Sequence, residues 1–135
     1  MDFSNAAQLG MLSFAITDFA KKHYLSVETK FDGYWEGRFV SSMVLRWEME
    51  SGIHCLMKVM PSLYNYDLVY KTKWNFFIGA WIDKEDGRYG KRIMLRENEK
   101  YTELLAEITP LLNEGYTTLT SLKEEELELI STDHN

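Results

Sequence analysis

Residues 25–59 alternate between apolar and polar side chains with a period of two, and no other feature constrains the fold as strongly. Leu25, Val27, Thr29 and Phe31 interleave with Ser26, Glu28 and Lys30. Met43, Leu45, Trp47 and Met49 interleave with Val44, Arg46, Glu48 and Glu50, and Ile53, Cys55, Met57 and Val59 repeat the pattern. Successive side chains of a strand point to opposite faces, so each run predicts a strand with one packed face and one wet face. The links between runs are too short for parallel crossovers, which leaves antiparallel pairing. Asp32-Gly33 is a strong two-residue hairpin signal and predicts a turn between strands 25–31 and 34–40, with Gly37 as a bulge. Residues 34–50 read as one long bent strand or as two. Ser51-Gly52 turns the chain, and Pro61, which has no N–H to donate, is expected to end the next strand.

Helical periods flank this region. Leu9, Leu12, Ile16 and Phe19 recur at spacings of three and four, predicting a helix over about residues 5–23. Asn5 and Gln8 have capping-box spacing, and Lys21, Lys22 and His23 fall where the helix dipole favours positive charge. Near the other end, Tyr101, Leu104, Leu105, Ile108, Leu111 and Leu112 form the cleanest stripe, with Asn98 as its expected cap. Pro110 predicts a kink or break near Thr109, and Gly115 suits the position after a helix end. Ser121 and Glu124 suggest a second capping box, opening a short helix with Leu122, Leu127 and Ile130 turned inward.

Between these regions, residues 61–73 lack a clean period and read as an ordered loop or a short helix. Trp74–Ile82 is apolar on both alternating sets, the pattern of a central strand covered twice. Asp83–Gly87 reads as a loop and Arg88–Arg96 as a charged strand. Residues 1–135 thus read as one α+β domain: an antiparallel β-sheet of about 5–6 strands, an N-terminal helix, and one or two C-terminal helices.

Catalytic and metal chemistry find little material. One Cys and three His in 135 residues leave no disulfide framework and no thiolate-rich metal site. Cys55 alternates inward with Ile53 and Met57, while His54 points to the opposite face. Glu48 and Glu50 share a predicted strand face, and solvated charge beside a turn accounts for them. Asp83–Gly87 fails as a calcium loop because the twelfth position is Met94. Gly87-Arg88-Tyr89-Gly90-Lys91-Arg92 joins glycines to cations but lacks the order of a phosphate loop. The expectation is a protein with no catalytic residue, no metal ligand and no cofactor, leaning away from an enzyme.

The net charge of −6 is uneven. Residues 71–100 carry 8 basic and 5 acidic groups, whereas residues 101–135 carry 1 basic and 8 acidic. Tyr70, Lys71, Lys73, Trp74, Tyr89, Lys91, Arg92 and Arg96 could stack on and neutralise single-stranded nucleic acid, but the acidic total opposes it. That reading requires Lys71, Lys73, Arg88, Lys91 and Arg92 to converge on one face. The start, Met1-Asp2-Phe3-Ser4, lacks a basic leader, and no run approaches the roughly 18 apolar residues of a membrane span. A cytoplasmic protein with no membrane partner is expected.

The aromatic residues carry the functional expectation. Tyr64, Tyr66, Tyr70, Trp74, Phe76, Phe77, Trp81 and Tyr89 fall within 26 residues, and Tyr34 and Trp35 sit at the predicted hairpin. Tyr and Trp are enriched in protein interfaces, so Tyr64, Tyr66, Tyr70, Trp74, Tyr89, Tyr34 and Trp35 predict a docking patch. Acidic Glu124, Glu125 and Glu128 form a second surface. A non-catalytic module that binds a protein partner or itself is expected; bacterial immunity or inhibitor proteins and secretion chaperones are functional types of this size and acidity. The alternative is a small-molecule pocket between sheet and helices, lined by Trp47, Trp74 and Trp81 with Arg46, Glu48 or His54 as its polar groups.

Overall fold

A computed structural model describes residues 4–35, 38–66 and 69–132, with side chains for 12–28, 42–60, 73–100 and 102–132. Helix α1 (Ser4–His23) leads into strands β1 (Ser26–Trp35), β2 (Arg38–Glu48), β3 (His54–Tyr66), β4 (Val69–Lys84) and β5 (Gly87–Asn98). Helix α2 (Tyr101–Thr120), a single 3-10 turn (Glu124–Glu126) and strand β6 (Glu128–Ser131) follow. All six strands form one antiparallel sheet in the order β1-β2-β3-β4-β5-β6. The expected α+β architecture with terminal helices is the observed one.

Both helices pack on the same face of the sheet. From α1 come Leu12, Ile16 and Phe19, and from α2 Leu104, Ile108, Leu111, Leu112 and Leu119; all are buried against Met43, Leu45, Ile53, Cys55, Met57, Trp74, Phe76 and Ile78. The period-two residues therefore turn inward as a set, because one slip of register would move every one of them into water. A Cβ on Gly115 would stand 2.9 Å from Ile78 Cγ2 and 2.9 Å from Met57 Sδ. This glycine lets α2 approach the sheet; it does not end the helix.

Several local expectations are corrected. Strand β1 runs through Asp32-Gly33, where the register slips by one residue, and the chain reverses between the paired Trp35 and Arg38. Glu36 and Gly37 lie outside the described residues. Pro61 does not stop β3: it pairs with Trp74, and β3 continues to Tyr66. Among the described residues the last β2 partner of β3 is Val59, so no neighbour on that side calls for a donor from Pro61. Residues 61–66 and 69–73 are accordingly the far end of a long β3–β4 ribbon, neither loop nor helix, while Asp67 and Leu68 lie outside the described residues.

The C-terminal region differs as well. Pro110 lies inside a continuous α2, where Ala106, whose carbonyl loses its donor, and Pro110 itself are both exposed to water. The N-cap is Lys100, and Asn98 is buried at the end of β5 opposite Trp74. Ser121 turns back to donate its hydroxyl to the Thr117 carbonyl at 2.7 Å. The expected second helix is only the turn at Glu124–Glu126; Leu122 and Leu127 are buried, but Ile130 is 60% exposed on β6.

Candidate binding groove on the open sheet face

With both helices on one side, the residues of opposite parity form the other side, and their register builds ordered rungs. One rung runs Glu48, His54, Trp81, Gly90, Glu128 across β2 to β6. The next runs Arg46, Leu56, Gly79, Arg92, and the third Val44, Lys58, Phe77, Met94. Gly79 and Gly90 supply no side chains, which leaves a depression in the middle. The result is a groove of about 630 Å³ lined by Leu56, Lys58, Phe77, Gly79, Trp81 and Arg92, with Glu126, Glu128 and Ile130 on the β6 side.

The glycine floor is not uniform. A Cβ on Gly79 would make only ordinary contacts, with Leu56 and the Lys91 carbonyl at 3.6 Å, so a small side chain would fit there without displacing its neighbours. A Cβ on Gly90 would stand 2.9 Å from the Ala80 carbonyl and 3.0 Å from Ile130 Cδ1, so glycine there lets β6 close against β5. The aromatic walls are held from their sides. His54 stacks on Trp81 with centroids 5.2 Å apart and planes 19° from parallel, and its Nε2 lies 4.0 Å from Glu48. The Arg92 guanidinium lies 4.4 Å from the Phe77 ring centre, a cation–π contact that shields Phe77 although it faces outward.

Charged groups frame the groove without forming a reaction centre. Arg88 grips Asp83 through two hydrogen bonds, 2.7 and 3.1 Å, and this contact pushes its pKa up. Lys84 pairs with Glu124 at 2.7 Å, and that hydrogen bond raises the lysine pKa. Glu48 faces the open side, but Glu50 lies in the turn, so the two do not form a carboxylate pair on one strand. Cys55 is on the helix face, where burial pushes its thiol up to about 11 and suppresses the reactive thiolate. Among the described residues, no three His, Cys, Asp or Glu side chains gather where a metal could be held. No helix among them is long and apolar enough to cross a membrane.

The residues singled out in the sequence are dispersed. Trp74 is 2% exposed, part of the core, and cannot serve as a docking residue. Tyr89 packs against the core from the helix face and donates its hydroxyl to Asp86, which raises the phenol pKa. The backbones of Tyr34, Trp35, Tyr64, Tyr66 and Tyr70 belong to β1, β3 and β4, and their side chains lie outside the described residues. Glu124 is occupied by Lys84, Glu125 is exposed on the 3-10 turn, and Glu128 lines the groove.

The expected pocket between sheet and helices is filled by core. Trp74 is part of that core, half-buried Trp47 packs against it beside Tyr116, and Trp81 faces the opposite side. β4 is buried on both sides around Phe77, whose neighbours Val44 and Asn75 on that face are buried too, and it opens into the groove towards half-buried Trp81. The basic residues do not converge either. Lys73 pairs with Glu97 at 3.0 Å, Arg88 with Asp83, and Lys91 and Arg92 alternate to opposite faces; the Lys71 side chain lies outside the described residues. What residue-by-residue reading missed was the shared rung of Trp81, His54 and Gly90, although period-two alternation from each hairpin contained the signal. The chain matches no family model, no curated protein and no solved structure.

Proposed function

We propose that this chain is a non-catalytic protein-binding module of the cytoplasm, acting as an immunity or inhibitor protein or as a chaperone. Its docking surface is the open sheet face around Trp81. The observation that carries this reading is the groove itself. It combines a floor at Gly79 that carries no side chain, a stacked Trp81–His54 wall and an Arg92–Phe77 wall, on the face that neither helix packs against. Such a surface suits an apolar side chain with an acidic neighbour, since aromatic area contributes affinity and the cation orients the partner.

A pull-down from native lysate compares wild type, Trp81→Ala and a Tyr64→Ala/Tyr66→Ala/Tyr70→Ala variant. The groove reading expects a protein retained by wild type and by the tyrosine variant but lost by Trp81→Ala. Equal recovery by Trp81→Ala and wild type removes it. The groove volume also lies within the roughly 300–1,000 Å³ range of small-molecule sites. Native mass spectrometry of protein purified from its own cells tests that second reading: a bound mass lost in Trp81→Ala and no protein partner would favour it.

A further inference from the structure

Strand β6 covers only part of β5. Its pairing ends where Gly90 meets Glu128, and among the described residues no strand pairs with β5 from Lys91 to Glu97. That uncovered stretch borders the groove: Arg92 and Met94 lie on the groove face, in register with Gly79 and Phe77. A row of backbone donors and acceptors is thus presented beside a side-chain pocket, the arrangement by which an extended peptide is held through strand addition.

The side chains select what could be added. Lys91 and Arg92 are exposed and have no carboxylate partner among the described residues, whereas Arg96 is held by Glu107 at 3.2 Å. Met94, 47% exposed, offers an apolar contact two positions from Arg92 on the same face. Charges on an edge strand ordinarily repel another copy of the same edge. The same cations attract an acidic strand, so the device that rejects self-pairing also discriminates among partners. Glu128, in register with Gly90, sets negative charge at the junction with β6. The partner's carboxylate therefore belongs beyond that junction, across from Arg92.

We propose that Lys91–Glu97 of β5 receives an extended acidic-apolar segment of a partner protein as an additional strand in line with β6, its acid facing Arg92 and its next groove-side residue packing on Met94. This rests on the reading of the groove as a protein-docking site, and adds that the partner is held by its backbone. The probe is a fluorescein-labelled eight-residue peptide alternating Asp and Leu, assayed by anisotropy and by amide exchange. Three comparisons accompany it: a Lys-Leu peptide, an Asp-Leu peptide N-methylated at alternate amides, and the Arg92→Glu protein.

Binding of the Asp-Leu peptide is expected to slow exchange of the amides between Lys91 and Glu97 that point away from β4. N-methylation and Arg92→Glu should each weaken binding at least about tenfold, and the Lys-Leu peptide should fail on wild type. If the N-methylated peptide binds equally, with shifts at Trp81 and Phe77 but no new amide protection, strand addition is overturned and groove docking survives. Equal binding of the Lys-Leu peptide, or no binding of any alternating peptide, also overturns the proposal. The Trp81→Ala pull-down judges the groove reading separately.

Discussion

Gly115 of α2 rests on Met57 of β3 so closely that a single added methyl group would stand 2.9 Å from the Met57 sulfur. The same methyl would stand 2.9 Å from Ile78. Alanine has the higher helix propensity by about 1 kcal/mol, so a solvent-facing Gly115→Ala change would stabilise α2. Overpacking typically costs about 1–3 kcal/mol, and here the obstructing atoms come from two strands at once. Gly115→Ala is expected to lower stability in urea unfolding, and a stabilised variant would show that α2 does not lie this close.

The two faces of β4 give opposite expectations for two tryptophans seven residues apart in sequence. Trp74→Ala removes a fully buried ring and should cost about 3–5 kcal/mol. Trp81→Ala, half-buried at the groove, should cost clearly less and leave a folded protein suitable for binding work. Iodide quenching of single-tryptophan variants checks the placement: Trp81 should be quenched and Trp74 protected.

Cys55 couples burial to alkaline stability. Its thiol is raised from 9.0 to about 11 by burial, so the folded state holds the proton longer than the unfolded chain. The resulting stabilisation is complete below about pH 9 and is lost as pH rises towards 11. The difference between wild type and Cys55→Ala, measured by urea unfolding from pH 7 to 11, should shift against wild type in that window. Iodoacetamide at pH 8 should label Cys55 only after denaturation.

Pro110 sits on the wet side of a continuous α2. Replacing it by alanine restores a donor for the Ala106 carbonyl and removes a ring that crowds the preceding turn. Pro110→Ala is expected to raise the thermal midpoint, by an amount corresponding to between 1 and about 3 kcal/mol. A lower midpoint would mean that the rigidity Pro110 gives the unfolded chain outweighs the missing donor.

What was legible in the sequence follows from what each signal measures. Alternation reports burial directly, and Met43, Leu45, Ile53, Cys55 and Met57 all face the core as their period requires. Turn and cap signals report only local preference. Asp32-Gly33 lost to a longer hairpin because extending β1 to Trp35 pairs more backbone than turning early. Pro61 was misleading for the opposite reason: its cost depends on whether a neighbour strand pairs that far, and among the described residues β2 does not. The groove was hidden because its components come from β3, β4, β5 and β6 and share only a register, which no single segment states. Trp74 and Trp81 look alike in composition, but they differ by an odd number of positions on one strand and so face opposite sides.

The sheet's spatial order equals its chain order, β1 through β6. During synthesis each strand therefore emerges to find its neighbour already present, and the first five can zip by successive local hairpins, a route that favours rapid folding. The exception is β6, which must wait for α2 to be made before it reaches β5. Until β6 has been made and has docked, the Arg88–Gly90 edge has no partner on that side among the described residues. Deleting β6 would make that interval permanent and leave the Arg88–Gly90 edge open to pairing with other chains.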